Sequence, residues 1–211
     1  MPVSMSNRRP TSRGIGGIVL VLAAALSFSG CWVTSINPLY EESRTEISTR
    51  DPDLIFEPSL LGAWVDHSDK CGGVTLTSKD GETYDLQAPG RTQGCTESDR
   101  PSHLQGRLVK LDSHYFMDIF PAEEDVCNLC LPQHNIFLAQ FDKSNLSLIP
   151  IDSNWFKRAL ADHTVTLATL ADDTDTITAS SKDLKAFCRK YAENKEVFKT
   201  DSTDAARLTR K

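Results

Sequence analysis

Hydrophobic positions along this chain follow three rhythms. From Ile15 to Leu26 they form a nearly unbroken run, preceded by Arg8, Arg9 and Arg13 and followed by Ser27-Phe28-Ser29-Gly30-Cys31. Between Trp64 and Pro150 they alternate with polar residues in steps of two, which puts one face of a β-strand on a core. Beyond Pro150 the spacing lengthens to three and four, the period of an amphipathic helix.

The alternating region divides into strands and turns. Ser59-Leu60-Leu61 reads as a short helical turn leading through Gly62 into a first strand that carries Trp64. Val74–Thr77 and Thr83–Leu86 flank Lys79-Asp80-Gly81-Glu82, a hairpin signal with Asp-Gly at its centre. Ala88–Ser102, rich in Pro, Gly, Thr and charge, reads as a loop. His103–Leu111 and Tyr115–Phe120 flank a turn at Asp112-Ser113, and Asn135–Phe141 and Leu146–Ile151 flank a turn at Asp142–Asn145. Consecutive antiparallel strands at hairpin spacing predict a meander that curls into a barrel or sandwich. In the last third, Ser153–Leu160 predicts a short helix capped by Ser153 or Asp152. Val165–Ala168 fits a strand or an extension of that helix, and Ile177–Ala179 a short strand. Lys182–Asn194 predicts a second helix, capped by Ser180 or Ser181, with Leu184, Phe187, Cys188 and Tyr191 on one face. Ala206–Arg210 is expected as a terminal edge strand. The fold class expected is mainly β (α+β), with two helices in the C-terminal third.

The opening run changes the picture of where the domain begins. About a dozen apolar or small residues after a basic stretch form the n-region and h-region of a secretory signal, and are too short to span a hydrocarbon core of roughly 30 Å. Ser29-Gly30-Cys31 resembles the lipobox of bacterial lipoproteins, with Phe28 where Leu is usual. That resemblance implies cleavage before Cys31, diacylglycerol on its sulfur and acylation of the new amino group. The expected layout is a signal peptide over 1–30, a lipidated Cys31 with a flexible polar tether over 31–53, and one β-rich domain over 54–211. Within the tether, Asn37-Pro38-Leu39-Tyr40 has the alternative of packing on the domain.

Charge then narrows the partners. The chain carries 23 Lys and Arg against 29 Asp and Glu. Removing residues 1–30 takes three Arg and no acid, leaving 20 against 29, a formal −9. An acidic exported domain does not attract nucleic acid by charge. The expected partners are the bilayer, through acylated Cys31, and an envelope protein or small ligand. The location expected is the cell envelope, facing the periplasm or the cell exterior.

Leu61-Gly62-Ala63-Trp64 is similar to the Gly-x-Trp signature of the first strand in lipocalin-like barrels, which implies that Trp64 plugs one end of a barrel. With Cys-Trp-x-x-Ser-Ile-Asn-Pro-Leu-Tyr ahead of it and a late amphipathic helix behind, the chain resembles a group of bacterial lipoproteins of uncharacterised activity. That resemblance implies location and architecture, and no reaction.

Cysteines hold most of the remaining chemistry. Cys188 belongs to the apolar face of the second helix and is expected in the core. Cys71, Cys95, Cys127 and Cys130 lie in loops or at strand ends, where an oxidising compartment favours disulfides. Cys71–Cys95 is the first pairing to consider, with Cys127–Cys130 closing a local loop, or the pairs crossing. Two alternatives use the same thiols. Cys127-Asn-Leu-Cys130 has zinc-knuckle spacing, with Cys71 and Cys95 completing four thiolates and His67 and His134 as further ligands. A redox CxxC is the other, although Leu131-Pro132 follows where a helix would be needed. His103 and His114 bracket a hairpin, and His163 lies in a polar stretch. No Gly-x-Ser-x-Gly elbow occurs. Asp172-Asp173-Thr174-Asp175 lacks the glycine and distal Glu of a calcium loop and reads as a solvated turn. No catalytic residue and no cofactor are assigned. The expected function is a non-catalytic envelope module; the alternative is a thiol-redox or zinc-dependent activity at Cys127 and Cys130.

Overall fold

The computed structural model describes residues 32–41, 50–67, 72–87, 103–122 and 133–211. In chain order the elements are β1 (Thr34–Ser35), β2 (Leu54–Ile55), a 3₁₀ turn (Pro58–Leu60), β3 (Gly62–Asp66), β4 (Gly73–Thr77), β5 (Tyr84–Gln87), β6 (His103–Leu111), β7 (His114–Pro121), β8 (His134–Phe141), β9 (Asn145–Pro150), α1 (Ser153–Ala161), β10 (Thr176–Ile177), α2 (Ser181–Tyr191) and β11 (Ala206–Arg210).

Each strand from β3 to β9 pairs antiparallel with the next. β11 then fits between β9 and β3 and closes an eight-stranded barrel. β11 is therefore no edge strand: Leu208 faces Leu146 on one side and Asp66 on the other. Its sequence alternates like an edge strand because one side is wet; closure comes from pairing, which alternation does not encode. Of the two predicted architectures, the barrel is the one formed.

Two cores share the barrel wall. Leu76, Tyr84, Leu86, Leu108, Met117 and Leu146 fill the interior together with Trp64. An eight-stranded barrel is just wide enough for side chains to fill. The second core lies outside, where Val109, Leu111, Phe116, Ile136, Leu138 and Ile149 meet Phe156 of α1 and Leu184, Phe187 and Cys188 of α2. β7 shows why its sequence reads as almost continuously apolar. Met117 and Ile119 point inward while Phe116 and Asp118 point outward, and all four are buried.

The helices follow local rules. Asp152 caps α1, accepting the Trp155 N–H at 2.6 Å. His163, at φ 55, ends it, and the Val165 N–H turns back onto the Ala159 carbonyl. Val165–Ala168 accordingly does not extend the helix; the Ala168 carbonyl accepts the Thr178 N–H at 2.8 Å, beside an isolated bridge of Thr169 to Ile177. Ser180 caps α2, accepting the Asp183 N–H at 3.2 Å and donating to the Asp183 carboxylate at 2.7 Å. The predicted face of Leu184, Phe187, Cys188 and Tyr191 is the buried one, and each large apolar side chain buried there contributes about 1.5–3 kcal/mol.

Candidate functional site

One end of the barrel is sealed around Trp64. The 3₁₀ turn brings the Leu60 carbonyl to the indole Nε1, which donates to it at 2.8 Å. The Arg210 guanidinium lies 4.4 Å from the indole centroid. Its nitrogens also donate to the Leu61 carbonyl at 2.9 Å, the Lys143 carbonyl at 2.9 Å and the Ser59 carbonyl. A guanidinium over an indole face adds a cation–π term to that carbonyl clamp. Gly62 is required here: its φ is +125, and a Cβ would stand 2.9 Å from Arg210 Nη1. Tyr84 is fully buried at the same end. Its hydroxyl accepts the Glu57 N–H at 2.7 Å and donates to the Glu57 carbonyl at 3.2 Å. Burial pushes the Tyr84 phenol up to about 12. Trp64 is thus buried in the interior cluster at this end of the barrel.

The expected flexible tether over 31–53 is not present in its described parts. Val33, Ser35, Leu39 and Tyr40 are buried. β1 lies between β8, antiparallel, and β10, parallel. Asn37 Nδ2 donates to the Thr178 and Ala179 carbonyls at 3.3 and 2.9 Å. Asp118, fully buried on the outer wall, accepts the Leu39 N–H at 2.7 Å and His134 Nδ1 at 2.9 Å. Tyr40 lies beneath the Arg107 guanidinium, 4.8 Å from its centroid. Polarity made 31–53 look like a leash, yet Val33, Leu39 and Tyr40 join the core on the outer wall. Asn37-Pro38-Leu39-Tyr40 packs on the domain, the alternative its apolar pair suggested.

A second clamp continues that seat. Asp51 accepts the Glu41 N–H at 2.7 Å and receives Lys185 Nζ at 2.8 and 2.7 Å. Lys185 also donates to Asp53 at 2.7 Å, and Arg189 reaches Asp53 at 3.1 Å. Burial alone would raise the Asp51 carboxyl, but Lys185 and two backbone N–H groups outweigh it and hold the carboxyl below its usual value. The same carboxylates hold the Lys185 ammonium above its usual value against the opposing effect of burial.

Cys31, Cys71, Cys95, Cys127 and Cys130 lie outside the described residues. The strands that flank the last four are described. Asp66 and Gly73, Gln87 and His103, and Pro121 and His134 all lie at the barrel end opposite the Trp64 plug. All three connections that carry these cysteines therefore leave from one end. His67 stands at that end with Nε2 2.7 Å from Thr209 Oγ1. His134 does not present itself as a ligand there: it is buried on the outer wall against Asp118. Cys188 is free and fully buried, and burial drives its thiol far above the usual range. Among the described residues no three His, Cys, Asp or Glu side chains come together to hold a metal.

Asp118, Asp51 and Lys185 escape the sequence reading, which names His134 only as a possible zinc ligand. Asp118 is the sole charge in an apolar run, Tyr115–Phe120, which is the one available hint that it is buried and partnered. Against family models, curated proteins and solved structures, the chain matches nothing.

Proposed function

We propose that this chain is a bacterial envelope lipoprotein, acylated on Cys31, whose barrel is a non-catalytic module for an envelope partner or small ligand. The observation that carries this reading is where the fold begins. Trp32 already packs on Phe137, at 5.4 Å between ring centroids, and Val33 is buried. Cleavage before Cys31, as the lipobox resemblance implies, removes residues 1–30 and leaves every described residue in place. Two or three acyl chains are enough for a stable membrane anchor, at about 0.8 kcal/mol per buried methylene. Among the described residues no helix is long and apolar enough to cross a membrane.

Between the two kinds of cargo, the side chains that occupy the barrel interior favour a partner met at the surface over a ligand held inside. Exchanging Cys31→Ser and fractionating the cells tests the anchor: the protein should move from the membrane to the soluble fraction. Continued membrane association would refute acylation at Cys31.

The second reading, a thiol-redox or zinc-dependent activity at Cys127 and Cys130, draws support from the described strand ends on either side of the four loop cysteines, which all lie at one barrel end. Thiol titration of the folded protein, with and without a chelator, separates it from two disulfides. Disulfides leave no loop thiol to titrate; a zinc site releases four on chelation.

A further inference from the structure

Residues 164–168, between α1 and β10, run extended without belonging to a strand. Val165 is buried and Leu167 half-buried, whereas Thr164, Thr166 and Ala168 are exposed, the alternation of a strand with one covered face. Their backbone groups alternate as well. The Val165 N–H turns to the Ala159 carbonyl of α1 at 3.0 Å. The opposite edge belongs to the even-numbered residues. There the Thr164 carbonyl accepts the Tyr191 hydroxyl at 3.2 Å, and the Ala168 carbonyl accepts the Thr178 N–H at 2.8 Å. Thr166 lies between them, so its own N–H and C=O point to that same edge. Among the described residues neither group has a partner.

That edge looks onto a groove. β10, two residues long, bridges the segment at Thr169 and reaches no further along it than Ala168. Past that point α2 forms the facing bank, and the groove between residues 164–167 and α2 encloses about 230 Å³. Leu167 and Phe187 give it an apolar floor, and Ala186, small and exposed on the helix bank, leaves it open. Asp183 and Lys190, both exposed, line the same bank seven residues apart, which is about 10 Å along a helix. Three residues of an extended chain cover about that distance.

We propose that this groove takes an extended segment of a partner protein, added as a short strand in line with β10. The lining specifies the occupant. Unpaired N–H and C=O groups at a strand edge accept another backbone. The floor takes one apolar side chain. A basic residue beside Asp183 and an acidic one beside Lys190 complete the charge match. The proposal rests on the reading of this domain as a module for a partner met at its surface, and it gives that partner a chemistry. The recognised stretch carries a basic, an apolar and an acidic residue within about three to five positions. So small a contact makes the encounter a transient one.

The test uses the full-length protein, labelled with nitrogen-15 and kept in mild detergent. It is titrated with two end-blocked peptides, Lys-Ser-Val-Ser-Glu and the reverse, Glu-Ser-Val-Ser-Lys. One of the two should bind saturably and move the amide signals of Thr166, Leu167 and Ala186. Ala186→Leu fills the groove with a good helix former at an exposed helical position, and Thr166→Pro removes the N–H from a chain already extended. Each should weaken binding by about tenfold or more while the rest of the spectrum stays that of the parent. Exchanging the charges, Asp183→Lys with Lys190→Asp, should reverse which peptide is preferred. No saturable shift from either peptide, binding that survives Ala186→Leu, or a preference unmoved by the charge exchange would overturn the groove. A Thr166 signal that moves when the protein alone is concentrated would assign the edge to a second copy and overturn it too. Peptide shifts confined to another face would refute this groove and leave the partner reading standing.

Discussion

Asp118 carries two obligations at once, the Leu39 N–H and the His134 imidazole, with no exposure to water. Asp118→Ala strands both donors in an apolar setting, and each buried group left unpaired costs about 1–3 kcal/mol. Urea unfolding should show a loss of roughly 2–4 kcal/mol, with Asp118→Asn in between; a loss under about 0.5 kcal/mol would mean water reaches the pocket. Tyr84 supplies a pH test. Its folded value of about 12 lies above the ordinary 10.0. The raised pKa adds stability that is whole below pH 10 and disappears as pH climbs from 10 through 12. Tyr84→Phe should flatten the alkaline limb of the stability curve over that window. Gly62→Ala tests the plug: its φ of +125 and the approach of Arg210 predict destabilisation of about 1–3 kcal/mol, read as a lower Tm. Gly62 was legible because a tight approach demands glycine. Asp118 was not, because its cover comes from residues some eighty positions away.

At the level of elements, the barrel strands were legible and their partners were not. Period-two alternation named β4 to β9 with bounds close to those observed, since hairpin pairing is local. β1, with two residues, forms by pairing with β8 and β10, which leaves no period to read. The segment from Asp51 to Asp53 illustrates the same limit. It reads as polar tether, yet its carboxylates are paired with Lys185 and Arg189 on α2. Lys185→Met leaves Asp51 buried beside two backbone donors without its cation, at a cost of about 3–5 kcal/mol. The double variant Asp51→Asn, Lys185→Met should recover part of that loss, a coupling that a double-mutant cycle measures directly; additive losses would mean the pair is not acting as a unit. The sign with pH is fixed by the directions of the shifts. Asp51, held low, contributes stability above its unfolded value of about 3.8 and loses it as pH falls through the folded one. Lys185, held high, contributes below its unfolded value of about 10.5 and loses it as pH rises.

For the molecule as a whole, the fold and the proposed anchor meet in one segment, residues 32–41. The barrel's outer wall is covered by the helices on one side and by the segment that follows Cys31 on another, so the residues that would tether the domain also complete it. Deleting residues 32–41 should therefore unfold or destabilise the protein even with Cys31 kept, visible as a lowered Tm. A tether in the ordinary sense would leave Tm unchanged. Fold class was readable because periodicity is written locally. Cargo was not, because a filled barrel and four loop cysteines specify no ligand by type or spacing.

The account turns on the state of one residue, and intact-mass measurement of the protein extracted from membranes reads it directly. The mass should equal residues 31–211 plus diacylglyceryl and, where the amino group is acylated, one further acyl chain. A mass matching a different amino terminus, or one without lipid, would contradict the anchor.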